Sequence, residues 1–411
     1  MKACVLHDVG DMRTEQVPDP FPGPGEVLLR VRACGVCGSD IPRIFEKGTY
    51  RFPLIPGHEF AGVVEAVGSG VDSAWTGARA VAYPLIPCRR CAACETGAYA
   101  QCVDYDYVGS RRNGAFAEYV TAPAWNLIRI PEELGFEEAA MAEPAAVALH
   151  ALRRAGVDTG DRVLIFGAGP IGLLVGKWAE LMGAGEALMV DVDLAKLRFA
   201  QSIGFRHLLD GRQADPAEWA QKKTGRGADI VIEASGSAAA FEQSMGAART
   251  GGAVVLLGNP AGPMSLSQDA YWAILRKELR VLGSWNSARA AMPKDEWRLA
   301  LDAMGSNRLQ VAPLITHRVG LEELSGRLRM MRDRAEFCCK VMVVNPQEIG
   351  EGDKDNKERN DKKDKKDKKR SKRSKRSKHG KNSKDSKDKK QVSAASTAKT
   401  KNRQTRQGRD E

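Results

Sequence analysis

The sequence predicts an α/β protein: a mostly β domain, then a doubly wound parallel sheet, then a polar C-terminal extension that does not fold. Three observations carry this. Residues 1–150 are rich in glycine and proline and in short β-like runs such as 27–31, 62–67 and 79–82, the texture of an irregular β domain. From about residue 155, continuous apolar runs at 162–166, 187–190, 230–232 and 253–257 alternate with helix-like segments. Runs of that kind suit strands buried on both faces, and their alternation with helices implies a parallel sheet. Beyond residue 346 there is no aromatic residue and almost no aliphatic one, so stretches such as 362–378 cannot bury enough apolar surface to offset chain entropy.

The predicted boundaries follow. Residues 1–152 form the first domain, with a small lobe at about 84–112. Residues 153–288 form the parallel-sheet domain. Residues 289–346 are mixed, end in a strand-like run at 340–344, and return to the first domain. Residues 347–411 are a disordered Lys-rich tail.

The chain has 411 residues and a net charge of +11, but the charge is unevenly placed. Residues 351–411 hold 25 Lys or Arg against 11 Asp or Glu, which leaves 38 basic and 41 acidic residues in the rest. The folding part is therefore slightly acidic. The tail alternates Lys with Asp and Ser and has no aromatic residue for base stacking, so nucleic-acid binding through it is an open but less favoured reading. No run approaches the roughly 20 apolar residues of a membrane helix, and an acid at Asp8 argues against a signal peptide. Nine cysteines, four of them within fifteen residues, favour metal thiolates over disulfides and a reducing cytoplasm.

The run 162–166 meets Gly167-Ala168-Gly169-Pro170-Ile171-Gly172, and a helical pattern follows, with Ile171, Leu174, Val175, Trp178, Leu181 and Met182 on one face. Gly167 permits a tight turn, Gly169 a close approach of backbone to a pyrophosphate, and Gly172 close helix–strand packing. The helix N-terminus faces the negative charge. Asp191, 19 residues on, ends the next apolar run, where a carboxylate accepts ribose hydroxyls and repels a 2′-phosphate. The pattern points to NAD rather than NADP.

Cys88, Cys91, Cys94 and Cys102 have the spacing of a closed, structural four-thiolate zinc site. A second set is dispersed: Cys37, His58 with the adjacent Glu59, and Glu143 in Ala142-Glu143-Pro144. A thiolate, an imidazole and a carboxylate make a three-ligand site with an open position, as catalytic zinc requires. Taken singly, His58 also fits a core histidine and Cys37 a buried thiol. Their coincidence with the four-cysteine loop and the glycine turn favours the metal. Cys34 reads as a buried thiol, and Cys338 and Cys339 are assigned no role.

Together these motifs resemble, over residues 1–346, the medium-chain, zinc-containing alcohol dehydrogenases. Gly57-His58-Glu59, the four-cysteine lobe and the turn 167–172 stand in that family's order and at about its distances. Three segments, 37–45, 105–112 and 274–279, resemble more specifically the branch acting on galactitol 1-phosphate. Pro42 stands where many relatives carry histidine, a departure that this branch shares. Ala78 replaces a common turn aspartate, and the charged tail has no counterpart.

The resemblance implies a GroES-like catalytic domain, a Rossmann domain, one catalytic and one structural zinc, and hydride transfer from a secondary alcohol to NAD. In that scheme Cys37, His58 and Glu143 hold the catalytic zinc, Ser39 takes the alcohol proton and Asp40 orients His58. Glu59 is either a ligand or a neighbouring carboxylate. A phosphorylated polyol needs cationic anchors: Arg43 is the best placed, with Arg111 and Arg112 behind it. Sorbitol or xylitol oxidation, then threonine 3-oxidation, are the nearest alternatives within the class. A non-enzymatic nucleic-acid-binding protein is the alternative outside it. The family also implies a homo-oligomer, dimer or tetramer.

Overall fold

The computed structural model describes residues 1–289 and 294–345. The expectations of disorder over 347–411 and of nucleic-acid binding by the tail fall outside the described residues.

The first sheet is built around the strand Glu26–Gly35. Its alternating burial is that of a strand with one face on a core. It pairs antiparallel with Glu59–Val67 and Tyr119–Pro123 along its length and with Lys340–Val344 near its end. Ile315–Val319 extends the sheet beyond Lys340–Val344, while Arg79–Ala82 and Leu127–Arg129 extend it beyond Glu59–Val67. The last strand of the described chain thus lies in the same sheet as its first long one. Where Gly35 faces Glu59, a Cβ on the glycine would come within 2.2 Å of the Glu59 carboxylate. The absent side chain is what lets that carboxylate lie inside the sheet.

The second sheet is six-stranded and parallel, in the order His207–Asp210, Glu186–Asp191, Arg162–Phe166, Ala228–Glu233, Ala248–Leu256, Arg280–Gly283. Arg162–Phe166, Glu186–Asp191 and Ala228–Glu233 are almost wholly buried, as their unbroken apolar runs require. Helices cover both faces, so this half is the doubly wound sheet that the alternation predicts.

The helix Ala142–Ala155 is almost entirely buried and ends on Gly156 in the left-handed conformation (φ 74°). It meets the helix Pro170–Leu181 through a hydrogen bond from Trp178 Nε1 to the Ala145 carbonyl at 2.9 Å. One core runs through both helices and reaches the parallel sheet on one side and Tyr83 and Trp297 on the other. Among the described residues, no helix is long and apolar enough to cross a membrane.

The turn before Pro170–Leu181 depends on bare backbone. Gly167 has φ 102°, and a Cβ on Gly172 would lie 1.8 Å from the Gly167 carbonyl oxygen. Gly172→Ala must therefore displace backbone. It is expected to lower stability by about 1–3 kcal/mol, the usual cost of overpacking, read as a lower urea midpoint at unchanged slope.

Candidate active site

The end of the Glu26–Gly35 strand and the start of Glu59–Val67 lie side by side, and the site gathers at their edge. Cys37 follows the first strand and His58 immediately precedes the second. Cys37, His58 and Glu59 offer donor atoms that all lie within 4.8 Å of one another. Asp40, wholly buried, accepts from the Cys37 backbone N–H at 3.0 Å and lies 3.6 Å from His58 Nδ1. That Nδ1 is buried and has no hydrogen-bond partner. Ser39 lies two residues beyond Cys37, close enough to favour its thiolate.

Glu143, at the first turn of Ala142–Ala155, is buried close enough to feel His58, Glu59 and Cys37 electrostatically. It does not complete a donor set within 4.8 Å, whereas Glu59 does. The reason is topological: Glu59 shares a strand end with His58, and Glu143 approaches from another layer.

The electrostatics are those of several acidic groups crowded together out of water. Burial, then Glu59 and Asp40, push the Cys37 thiol up to about 11. Burial, opposed by His58 and aided by Glu59 and Cys37, raises Glu143 to about 8. A dication between these groups would reverse both shifts. The mixed sulfur, nitrogen and oxygen donors fit zinc.

One cation is already built in. Lys340, buried, donates to both Glu59 carboxylate oxygens at 2.7 and 2.9 Å and to the Val36 carbonyl at 2.9 Å. Burial alone would lower its pKa, but Glu59, together with Cys37 and Glu143, outweighs that and holds it above the ordinary lysine value. The sequence reading missed this residue. Its one signal was a lysine opening an otherwise apolar strand. Tyr107, also missed, packs edge-on against the His58 ring at 5.8 Å.

The four cysteines of the lobe come together, with their sulfurs also within 4.8 Å of one another. The Cys91 and Cys102 sulfurs are 3.9 Å apart. That is close to the edge of a tetrahedron with zinc–sulfur bonds of about 2.3 Å, roughly 3.8 Å. Backbone N–H groups at Val103 and Cys94 pull Cys91 down to about 6, which favours the thiolate.

At the glycine turn, a Cβ on Gly169 would meet nothing within 4 Å, so the backbone there is open to a ligand at a helix N-terminus. Pro170 and Ile171 begin the helix. Asp191 accepts from the Ala168 and Asp193 backbone N–H groups at 2.7 and 2.9 Å, fastening the turn to the neighbouring strand.

The expected substrate cations do not share one place. Arg43 Nη1 donates to Asp40 at 2.6 Å, so its charge is spent on the carboxylate beside His58. Arg112 pairs with Glu26 at 2.7 Å. Arg111 lies over the rings of Tyr50 and Tyr105 at 4.3 and 4.2 Å.

Residues 23–132 match the model of the alcohol dehydrogenase GroES-like domain, and residues 170–306 match that of the zinc-binding dehydrogenases. The galactitol 1-phosphate 5-dehydrogenase of Escherichia coli K12 is 34% identical over 331 residues, which is 80% of this chain and 96% of that protein. The chain belongs to the zinc-dependent medium-chain alcohol dehydrogenases. The sorbitol dehydrogenase of Bacillus subtilis is 32% identical over 352 residues, 84% of this dehydrogenase and 97% of its relative. The crystal structure of galactitol-1-phosphate dehydrogenase from Escherichia coli matches with a TM-score of 0.80 at 33% identity, over 84% of this dehydrogenase and all of that chain.

Two outcomes follow from the buried charges of this dehydrogenase. Lys340→Met strands Glu59 without its cation and is expected to cost about 3–5 kcal/mol. Adding Glu59→Gln should recover most of that loss, read by chemical denaturation of the two single variants and the double variant. The second concerns Glu143 in chelator-treated protein. Its folded pKa of about 8 exceeds the ordinary 4.5, so the folded state binds more protons between those values. Its contribution to stability is therefore lost as pH rises through that window. Glu143→Gln should flatten this part of the pH–stability curve.

Proposed function

We propose that this dehydrogenase oxidises a secondary alcohol of a polyol phosphate, with galactitol 1-phosphate the leading candidate, to a ketose phosphate with NAD as acceptor. The observation that carries the reading is the cluster of half-buried Cys37 with buried His58 and Glu59, and Glu143 behind it. In this reading Cys37, His58 and a glutamate hold the catalytic zinc, and Cys88, Cys91, Cys94 and Cys102 hold the structural one. Glu143 is the expected third ligand, and Glu59 is the nearer carboxylate in this conformation. Bound there, zinc would supply Lewis acidity toward an alcohol oxygen, and a bound nicotinamide would supply the hydride acceptor.

The chain's own residues do the rest. Ser39, beside Cys37, takes the alcohol proton. Asp40 fixes the His58 ring and is itself held by Arg43. Lys340 holds Glu59 in position through both carboxylate oxygens. Gly167, Gly169, Pro170, Ile171 and Gly172 present backbone to the pyrophosphate. Asp191, its oxygens each with lone-pair capacity left, accepts the adenosine ribose hydroxyls and disfavours a 2′-phosphate.

The relatives named for galactitol 1-phosphate support the phosphorylated substrate. The sorbitol dehydrogenase at similar identity supports a plain polyol as the second reading. We take the enzyme to be a cytoplasmic homo-oligomer. Nine free cysteines support the compartment. Exposed Trp272, Leu275 and Trp285 near the unpaired edge strand Arg280–Gly283 support self-association.

The test is NADH absorbance with galactitol 1-phosphate, sorbitol, xylitol and threonine, with zinc measured in the same preparations. The expected result is two zinc ions per chain and the highest kcat/KM on galactitol 1-phosphate. A higher kcat/KM on sorbitol or xylitol would overturn the phosphorylated substrate. Cys37→Ser should retain one zinc and lose more than about a hundredfold in rate, and Asp40→Asn about 10–100-fold, as losses around metal sites do.

A further inference from the structure

A cavity of about 530 Å³ opens beside the four-cysteine lobe, lined by Tyr50, Arg90, Asp104, Tyr105, Asp106 and Arg111 among others. Its charged groups are not equivalent. Arg90 and Asp104 pair with each other at 2.9 Å, both largely exposed. Asp106 accepts from the Tyr107 backbone N–H at 2.8 Å and lies 4.0 Å from Arg112. Arg111 differs from all of these. No carboxylate lies within ion-pair distance of it among the described residues, and its Nε is buried without a hydrogen-bond partner.

Arg111 is nevertheless held firmly. Its guanidinium lies over the Tyr50 ring at 4.3 Å and over the Tyr105 ring at 4.2 Å, and its Nη1 donates to the Tyr105 carbonyl at 3.1 Å. Stacking on aromatic faces keeps a guanidinium flat and oriented without neutralising it. A planar fork that stays charged, with an N–H lacking an acceptor, suits a phosphate monoester.

The cavity also stands in line with the reaction centre. Leu85–Ile86 and Asp106–Tyr107 pair as a short antiparallel ribbon. Tyr105 immediately precedes that second strand, and its ring meets the Tyr107 ring edge-on at 6.4 Å. Tyr107 touches His58 in the same way at 5.8 Å. A chain of ring contacts therefore runs from the zinc-ligating candidate His58 through Tyr107 and Tyr105 to Arg111. The other two arginines considered for the phosphate are committed elsewhere, Arg43 to Asp40 and Arg112 to Glu26.

We infer that this cavity is the subsite for the substrate's phosphate, with Arg111 as its anion-binding group and Tyr50 and Tyr105 as the rings that hold it. The inference rests on the polyol-phosphate reading above. Arg111 acts on binding and specificity, not on the transfer step.

The test compares the full-length wild type with Arg111→Gln and Arg111→Lys, using galactitol 1-phosphate and unphosphorylated galactitol, with zinc content and thermal stability measured in parallel. Losing a charge-assisted contact to phosphate should raise KM for the phosphorylated polyol roughly tenfold to a hundredfold, with kcat within about twofold. KM for plain galactitol should not change. Arg111→Lys should recover part of the loss, because charge returns without the fork. Inorganic phosphate should compete with the phosphorylated polyol in the wild type and about tenfold more weakly in Arg111→Gln.

A merely structural Arg111 would lower zinc content or stability and weaken both substrates alike, and that result overturns the inference. So does an unchanged KM for the phosphorylated polyol in both variants. A wild type indifferent to phosphorylation overturns the polyol-phosphate reading itself, and the two failures are thereby told apart.

Discussion

Lys340 reaches Glu59 across 281 residues of chain, and both are almost fully buried. A site that gathers a thiol, an imidazole and several carboxylates out of water carries a heavy desolvation cost. The lysine offsets part of it permanently, whether or not a metal is bound. Its backbone sits in a strand that pairs with Glu26–Gly35, whose far end carries Gly35 against Glu59. The sheet thus fixes the cation, the carboxylate and the bare backbone between them in a single register. Anything that moves the final strand moves the charge balance of the site.

The second constraint is mechanical. Hydride transfer needs two binding sites held at a fixed separation, and here the two halves share a core instead of meeting at a loose interface. The helix Ala142–Ala155 places Glu143 near the metal donors at its first turn. Its Ala145 carbonyl then accepts from Trp178 on the helix that begins at the glycine turn. Asp191 in turn fastens that turn through the Ala168 N–H. The candidate metal donors and the glycine turn are linked by buried hydrogen bonds and packed apolar side chains, which deform little.

Much of the site was legible because its chemistry is local. The four cysteines lie within one loop, and the glycine turn lies between one strand and one helix, so spacing alone carries their meaning. Cys37 and His58 are distant in sequence but each sits in a short motif. What spacing could not show was the rank of the glutamates. Glu59 and Glu143 look interchangeable as letters, and only the packing of a strand end against a separate helix makes one the nearer donor. Arg43 illustrates the same limit. Its position near Cys37 suggested a substrate anchor, yet a residue three places from Asp40 on a helical turn meets that carboxylate first.

The sequence by itself determined the fold class, the clustering of the four cysteines and the glycine turn between strand and helix. Each depends on residue types at short, regular separations, which backbone geometry converts directly into shape. Only the tertiary structure decided which charges face one another: Lys340 on Glu59, Arg43 on Asp40, and Arg111 on two rings with no ion-pair partner among the described residues. Those pairings depend on sheet register and on layers meeting from remote parts of the chain, which no local pattern encodes. The four-cysteine loop marks the family, while the groups that tune the buried site come from elements far from it in sequence.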